Sequence, residues 1–350
     1  MSLEVTIDGR KIGTEHAPYI ICELSGNHNG SLDRALKMID AAAETGCDAI
    51  KLQTYTADTI TMDSDRPEFH LHGGLWDGRS LYELYQEAHT PWDWHPALFE
   101  RAKKRGVTMF SSPFDETAVD LLAGLEAPAY KIASFELVDL PLVAYVAQQG
   151  KPMIMSTGMA NAREIDAAVQ TARKFGTGEL ILLHCVSEYP ANIADANVRT
   201  VPDLGAKFGC VSGLSDHTFG TAASVASVAL GGCVIEKHFT LARADGGPDS
   251  GFSLEPAEFT ALVRDCKDAW RALGRVHYET LGTEQGSKTF RRSLYVVKDI
   301  KAGEALTKEN VRSIRPGLGL PPSRLWDVVG KTASRDLVRG EPLAEDMISL

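Results

Sequence analysis

The chain has 350 residues, a formal net charge of −11, 44% hydrophobic residues and 24% charged ones. That length exceeds what one core usually serves and fits a barrel of about 250 residues with one small domain attached. The acidic balance excludes general nucleic-acid binding, which needs a basic footprint, yet leaves room for a small anionic ligand, because a few buried lysines set the local field. Near the start, VTIDGRKI reads as a hairpin turning at Asp8-Gly9, able to plug the bottom of a barrel. Eight short apolar runs follow, each ending in a polar residue. They are YIICE to Glu23, DAIKLQ with Lys51 and Gln53, VTMFSS to Ser112, YKIASFE with Lys131, Ser134 and Glu136, PMIMS to Ser156, ELILLH to His184, GLSDH to His217, and CVIEKH to His238. Helical spacing alternates with them at Leu32–Glu44, Pro96–Arg105, Glu116–Leu125, Ala162–Lys174 and Pro256–Leu273.

The runs are apolar throughout, as expected of parallel strands covered on both faces. Eight βα units favour a closed (β/α)8 TIM barrel, an α/β fold, over a doubly wound sheet. The latter would want a glycine-rich phosphate loop after the first strand, and the glycines of ELSGNHNGS do not have that spacing. The connection from Thr56 to about Trp94 is a long insertion rich in aromatics, His and Asp, and long connections of this kind are usually functional or mobile. After Leu281 the composition changes. GTEQGSKTFRR, residues 282–292, reads as a polar linker, and residues 293–350 read as a small, mostly β module broken by Gly and Pro. The domains expected are therefore 1–281, a barrel, and 293–350.

Six cysteines (22, 47, 185, 210, 233 and 266) sit mostly in apolar runs with no C-x-x-C pair, the pattern of free thiols in a reducing compartment. The N-terminus lacks a basic segment followed by an apolar one, and no apolar run approaches the ~20 residues that span a bilayer. A cytoplasmic protein, with no membrane partner, is expected.

Parallel barrels carry their chemistry at the C-terminal ends of the strands. There, His217 and His238 end neighbouring strands and can converge on a divalent metal, or each can simply cap its strand. Glu236 shares strand parity with His238, and Lys237 points the other way. Asp216 and Asp249 lie near in sequence. His28 and His184 fit supporting roles. Lys51 and Lys131 stand inside apolar strands, where a lysine needs a carboxylate or a bound anion. With Ser112, Ser134, Ser156 and Ser215 they make a pocket for a phosphate- and carboxylate-bearing substrate, the alternative being internal pairs of Lys51 with Glu23 and Lys131 with Glu136. Glu23 and Glu136 can each be general base, metal ligand or sugar-hydroxyl acceptor, and spacing does not choose. Arg315 projects from the rigid loop IRPGLGLPP.

The string ELSGNHNG, IKLQT, FSSPFD, YKIASFE, STGMA, LLHCVSEYPA, GLSDHT, VIEKHFT and GGPDS resembles the sialic acid synthase family, and RRSLYVVKDIKAGEALTKENVRSIRPGLGLPP resembles that family's antifreeze-like (SAF) C-terminal domain. LWDGRSLYELYQEAHTPWDW, FSSPFDETAVD and KIASFELVDLPL are more similar to the branch making pseudaminic acid than to the N-acetylneuraminate branch. The resemblance implies condensation of phosphoenolpyruvate with an open-chain acetamido sugar, in this branch 2,4-diacetamido-2,4,6-trideoxy-L-altrose, with release of phosphate. It implies a divalent cofactor, Mn2+ or Mg2+, on His217 and His238. Phosphoenolpyruvate positions match Lys51, Ser112, Lys131, Ser134, Ser156 and Ser215. Sugar-related and catalytic positions match Glu23, Glu136, Asp249 and Tyr189. Ser187 stands where the neuraminate branch has asparagine, which fits a different sugar. Arg315 matches the arginine that a domain-swapped homodimer lends to its partner's barrel. Leu75, Trp76, Leu81 and Tyr85 of the insertion are candidates for an apolar wall against the 6-deoxy end of the sugar. N-acetylneuraminate and legionaminate synthesis remain alternatives within the family. Outside it stand a Schiff-base aldolase acting through Lys131 and a non-catalytic carbohydrate- or ice-binding protein.

Overall fold

The computed structural model describes residues 3–73, 76–176 and 178–349. It opens with the expected hairpin, β1 (Val5–Ile7) and β2 (Arg10–Ile12), paired antiparallel. Asp8 and Gly9 both take positive φ, 48° and 75°, which is the two-residue turn whose twist suits a hairpin.

Eight parallel strands then close into a barrel in which each pairs with its neighbours in sequence and the last returns to the first. They are β3 (Tyr19–Glu23), β4 (Ala49–Thr54), β5 (Thr108–Pro113), β6 (Tyr130–Ile132), β7 (Met153–Ser156), β8 (Leu180–Cys185), β9 (Val211–Asp216) and β10 (Val234–His238). The helices interleave as α1 (Leu32–Glu44), α2 (Ala57–Ile60), α3 (Leu81–Ala88), α4 (His95–Arg105), α5 (Glu116–Gly124), α6 (Leu140–Ala147), α7 (Ala162–Phe175), α8 (Thr200–Phe208), α9 (Ala222–Ala229) and α10 (Pro256–Leu273). Several begin on a polar cap just beyond a strand end. Ser31, Asp115, Asp139 and Asn161 each accept a hydrogen bond from a backbone N–H of the first turn, satisfying a donor that helix geometry leaves free. The long insertion holds α2 and α3 rather than one extended loop.

Both strand faces are buried, for two reasons. Outward residues such as Ile20, Cys22, Ile50 and Leu52 pack under the helices. Inward residues at the lower end, Tyr19, Ile21, Ala49, Phe110, Ile154, Ile181 and Val234, pack with Val5, Ile7 and Ile12 of the hairpin. The hairpin thus stops the bottom of the barrel with apolar side chains. Each such fully buried chain is worth roughly 1.5–3 kcal/mol relative to exposure.

The chain divides into two compact units, the first ending at Gly274 and the second starting at Arg275. In the second, the stretch expected as a linker carries a 3-10 helix over Gly282–Phe290 whose residues are all exposed. It leads into β11 (Ser293–Val296), β12 (Val311–Ile314), the single turn α11 (Leu325–Val328), β13 (Thr332–Ala333) and β14 (Ile348–Ser349), with two antiparallel pairs. Its core is small: Leu294, Val296, Ile300, Leu306, Val311, Val328, Ala333, Leu337 and Leu343. Among the described residues no helix is long and apolar enough to cross a membrane.

Candidate active site at the barrel mouth

Alternation along a strand sorts the site. On β10, Glu236 and His238 share a face and Lys237 takes the opposite one. Glu236 lies at the centre of the inward cluster. Its Oε1 accepts from Lys51 Nζ at 2.8 Å, Lys131 Nζ at 3.3 Å and Ser215 Oγ at 3.1 Å. Lys51 also lies 3.3 Å from Glu23 Oε2, and Glu23 Oε1 accepts from Gln53 Nε2 at 2.8 Å. The expected alternative pair of Lys51 with Glu23 therefore exists, but Lys131 pairs with Glu236 and not with Glu136. Glu236 was flagged in the sequence only for its parity with His238. Its role as counter-ion to both lysines needed three strands brought together.

Burial works against every charge here, and the partners decide the outcome. Burial alone would lift Glu236, but Lys131 and Lys51 hold it far below the usual carboxylate range. Glu23 is pushed up, chiefly by burial and then by Glu236 despite Lys51. Lys131 drops to about 8 through burial, with Lys51 adding repulsion that Glu236 only partly offsets. Lys51, flanked by Glu23 and Glu236, is raised in spite of its burial. Two cations thus face one firmly ionised carboxylate and a second that resists ionisation, so the cluster keeps an affinity for an anion. Beside it the hydroxyls of Ser112 and Ser156 are buried without a hydrogen-bond partner, and a ligand oxygen would satisfy both.

Above this layer stand the imidazoles, with ring centroids 5.3 Å apart. His217 Nδ1 meets the Val186 carbonyl at 2.9 Å, which leaves Nε2 as the nitrogen able to ligate. Cys185 Sγ lies 3.7 Å from the same Nδ1. Burial opposes charge on both, yet each draws the other towards ionisation: His217 is raised and Cys185 falls to about 7. Burial, then His217 and Lys51, hold His238 well below the usual imidazole range. It is neutral, and its Nδ1 is buried without a hydrogen-bond partner. Among the described residues no group of three or more His, Cys, Asp or Glu is arranged to hold a metal ion. The donor chemistry still fits a divalent cation as a two-imidazole set, the further positions being left to water or substrate.

Asp249 arrives on the loop after β10. That loop folds back through Thr240 N to Leu254 O and Leu254 N to His238 O. Its carboxylate accepts from Ser25 Oγ and lies 3.7 Å from His238 Nδ1, and burial raises its pKa. Tyr189 stacks 4.4 Å from His217, and Phe252 packs 4.9 Å from His238. Trp76 donates from Nε1 to the Pro248 carbonyl and sits 6.1 Å from Tyr189. Of the insertion's proposed wall, Trp76 reaches this side among the described residues. Tyr85 packs on Tyr55, Leu81 is half-buried at the start of α3, and Leu75 lies outside the described residues.

On the opposite side of the mouth, burial pushes the Glu136 carboxyl up to about 7, and its Oε2 has no hydrogen-bond partner. Ser134 and Ser187 crowd the Gly158 backbone, where a Cβ would come within 2.1 Å of Ser187 Oγ and 2.8 Å of Ser134 Oγ. A side chain there would have to displace those serine hydroxyls. One expectation changes. Asp216 faces out of the barrel, not into the site. His28 and His184 bond Thr90 and the Ala196 carbonyl, in the supporting roles expected. Arg315 is exposed in the second unit.

These features define a (β/α)8 barrel with a buried cluster of two lysines and two glutamates beneath an imidazole pair. The NeuB family model matches residues 38–278, and the SAF domain model matches 291–349. The chain is 45% identical to a pseudaminic acid synthase of Campylobacter jejuni over 95% of its length and 97% of the relative's. It is 44% identical to a pseudaminic acid synthase of Helicobacter pylori, covering 95% and 98%. Among solved structures, an N-acetylneuraminic acid synthetase of Leptospira borgpetersenii in complex with citrate is 34% identical with a TM-score of 0.73, covering 82% of this chain and 95% of that one. The chain belongs to the NeuB family, the sialic acid synthases, and carries a SAF domain at its C-terminal end.

Proposed function

We propose that the chain condenses phosphoenolpyruvate with 2,4-diacetamido-2,4,6-trideoxy-L-altrose, forming pseudaminic acid and inorganic phosphate. The observation that carries this reading is the buried Lys51–Glu236–Lys131 cluster, with the partnerless hydroxyls of Ser112 and Ser156 beside it. Similarity to pseudaminic acid synthases over nearly the whole chain supports the choice of sugar.

Lys51 and Lys131 hold the phosphate and carboxylate of phosphoenolpyruvate, and Ser112, Ser134, Ser156 and Ser215 donate to its oxygens. Such positioning turns C3 towards the aldehyde carbon and removes much of the entropic barrier. A divalent cation, Mn2+ or Mg2+, bound by His217 and His238 would act as Lewis acid towards the aldehyde. C3 forms the new bond to the aldehyde carbon, whose π pair moves to oxygen, and positive charge develops at C2. Glu136, ionised above about pH 7, faces that charge and takes a proton from the water that adds there. The tetrahedral hemiketal phosphate at C2 then collapses: its hydroxyl loses a proton to the departing phosphate, C2=O forms and the C2–O bond to phosphate breaks, while the proton held by Glu136 passes to the sugar alkoxide. Glu23, Asp249, Tyr189 and Ser187 orient the sugar. With this goes a cytoplasmic homodimer. All six cysteines are free and buried, which suits a reducing compartment. Light scattering on the full chain tests the dimer, and a monomer mass would refute it.

Phosphate release from phosphoenolpyruvate, assayed with a panel of sugars with and without chelator, tests the reaction. The expected result is cation-dependent release with the trideoxy-diacetamido sugar. Preference for N-acetylmannosamine would move the chain to the neuraminate branch. Borohydride trapping of substrate on Lys131, indifferent to chelator, would replace the mechanism with a Schiff base.

A further inference from the structure

We infer that the buried Asp216–Lys237 ion pair, on the outer face of β9 and β10, is a positioning device that fixes the separation of the His217 and His238 imidazoles. The inference rests on the metal reading above and adds to it a part that touches neither metal nor substrate.

Asp216 and Lys237 are direct partners in the β9–β10 register. Each precedes one of the histidines in sequence, and alternation puts them on the face away from the site. Lys237 Nζ lies 2.9 Å from Asp216 Oδ2, and it also donates to the carbonyls of Thr218 at 2.6 Å and Asp216 at 3.4 Å. Those carbonyls lie on either side of His217. The neighbour of one histidine therefore grips the backbone flanking the other. Asp216 completes the grip. Its Oδ1 accepts from the N–H of Thr218 at 2.9 Å and the Thr218 hydroxyl at 2.7 Å, and its Oδ2 accepts from Ser224 of α9 at 2.6 Å. Deeper in the same strand pair, a Cβ on Gly213 would lie 2.1 Å from the Val234 carbonyl, so the two strands run closer than a side chain would allow.

Stability does not explain such a pair. Both side chains are 1% exposed, and taking two charges out of water costs about as much as their attraction returns, so an apolar pair of similar volume would serve packing as well or better. What apolar groups cannot supply is direction. Lys237 and Asp216 together make or accept six polar contacts across residues 216–218 and 224, and these leave the turn carrying His217 one position relative to His238. Outer contacts of this kind commonly tune metal affinity about 10- to 100-fold.

The test uses the full-length protein stripped of metal. Mn2+ affinity is measured by titration calorimetry, unfolding by urea, and kcat and KM for both substrates by phosphate release. Lys237→Met and the apolar double variant Lys237→Met with Asp216→Leu are compared with Ser224→Ala, which removes one contact and no charge. The double variant is expected to regain resistance to urea relative to Lys237→Met, while Mn2+ affinity stays about 10- to 100-fold weak and kcat falls with little change in KM for phosphoenolpyruvate. Ser224→Ala is expected to weaken Mn2+ in the same direction by a smaller factor. Wild-type Mn2+ affinity in Ser224→Ala and in whichever charge variants fold would overturn the inference while leaving the metal reading intact. No Mn2+ binding by the wild-type protein would refute the metal reading itself.

Discussion

Replacing Glu136 with Gln keeps its size and its hydrogen-bonding reach but removes the ionisable group. In the wild-type protein burial sets that group at about 7. A carboxyl raised in this way is protonated below its pKa and becomes active as it ionises above it. The ionised fraction is then about one-tenth at pH 6 and nine-tenths at pH 8, so kcat/KM should rise roughly tenfold across that interval. The same sign governs stability. The folded state holds the proton more tightly than the unfolded chain, whose pKa is near 4.5, so this residue's contribution is complete below about pH 4.5 and is lost as pH rises through about 7. Loss of a positioned base costs typically about 10²- to 10⁴-fold in rate. Glu136→Gln should therefore lower kcat by that order, leave phosphoenolpyruvate affinity near wild type, and flatten the acid limb. Initial rates of phosphate release from pH 5.5 to 8.5, with affinity measured separately at each pH, decide it. A limb near pH 7 that survives in Glu136→Gln would refute the role argued from its burial.

Three further outcomes follow from the same geometry. Glu236→Gln leaves Lys51 and Lys131 without their shared counter-ion and should cost about 3–5 kcal/mol in urea unfolding, with phosphoenolpyruvate restoring more stability than it adds to the wild type. An equal ligand effect in both proteins would show that the lysines do not meet the anion. Ser112→Ala and Ser156→Ala each delete a hydroxyl that has no partner in the protein, so folding should change little while phosphoenolpyruvate binding weakens about 10- to 100-fold, the worth of a hydrogen bond to a charged group. Calorimetric titration reads this directly, and unchanged affinity in both variants would be a refutation. Trp76→Ala should raise KM for the sugar by about tenfold, as expected for loss of one apolar contact, with KM for phosphoenolpyruvate unmoved. Equal effects on both substrates would place the Trp76 ring elsewhere than against the sugar.

The barrel was legible because its signal is repeated and local. Apolar runs ending in polar residues, alternating with helical spacing, foretold β3 to β10 in order, and five helices appear within a residue or so of their expected bounds. Asp8-Gly9 announced its hairpin through the backbone conformation the turn demands. Lys51 and Lys131 could be suspected from cost alone, since a buried lysine needs a partner. Which partner was not legible: Glu236 reaches Lys131 across 105 residues of chain, and no local pattern encodes that contact. Asp216 misled for the opposite reason. Nearness to His217 in sequence suggested a shared site, whereas strand alternation sends adjacent residues to opposite faces. Cys185 reads from sequence only as one of six free thiols, because a cysteine at the end of an apolar run looks like packing until His217 is placed beside it. Within the insertion, composition named the aromatics but not their partners: Trp76 meets Tyr189 and Tyr85 meets Tyr55.

The hairpin at the foot of the barrel sets the traffic through it. With Val5, Ile7 and Ile12 packed into the lower interior, the barrel is stopped at its lower end. Glu236 sits two residues below His238 on the same face of β10, so the anion layer lies beneath the layer of the imidazoles. If phosphoenolpyruvate binds among the lysines as proposed, it must arrive before a sugar bound beside the histidines and wait for it to leave. Order of arrival and order of departure are then properties of the plug, written in eight residues at the start of the chain and enforced at the other end of the barrel.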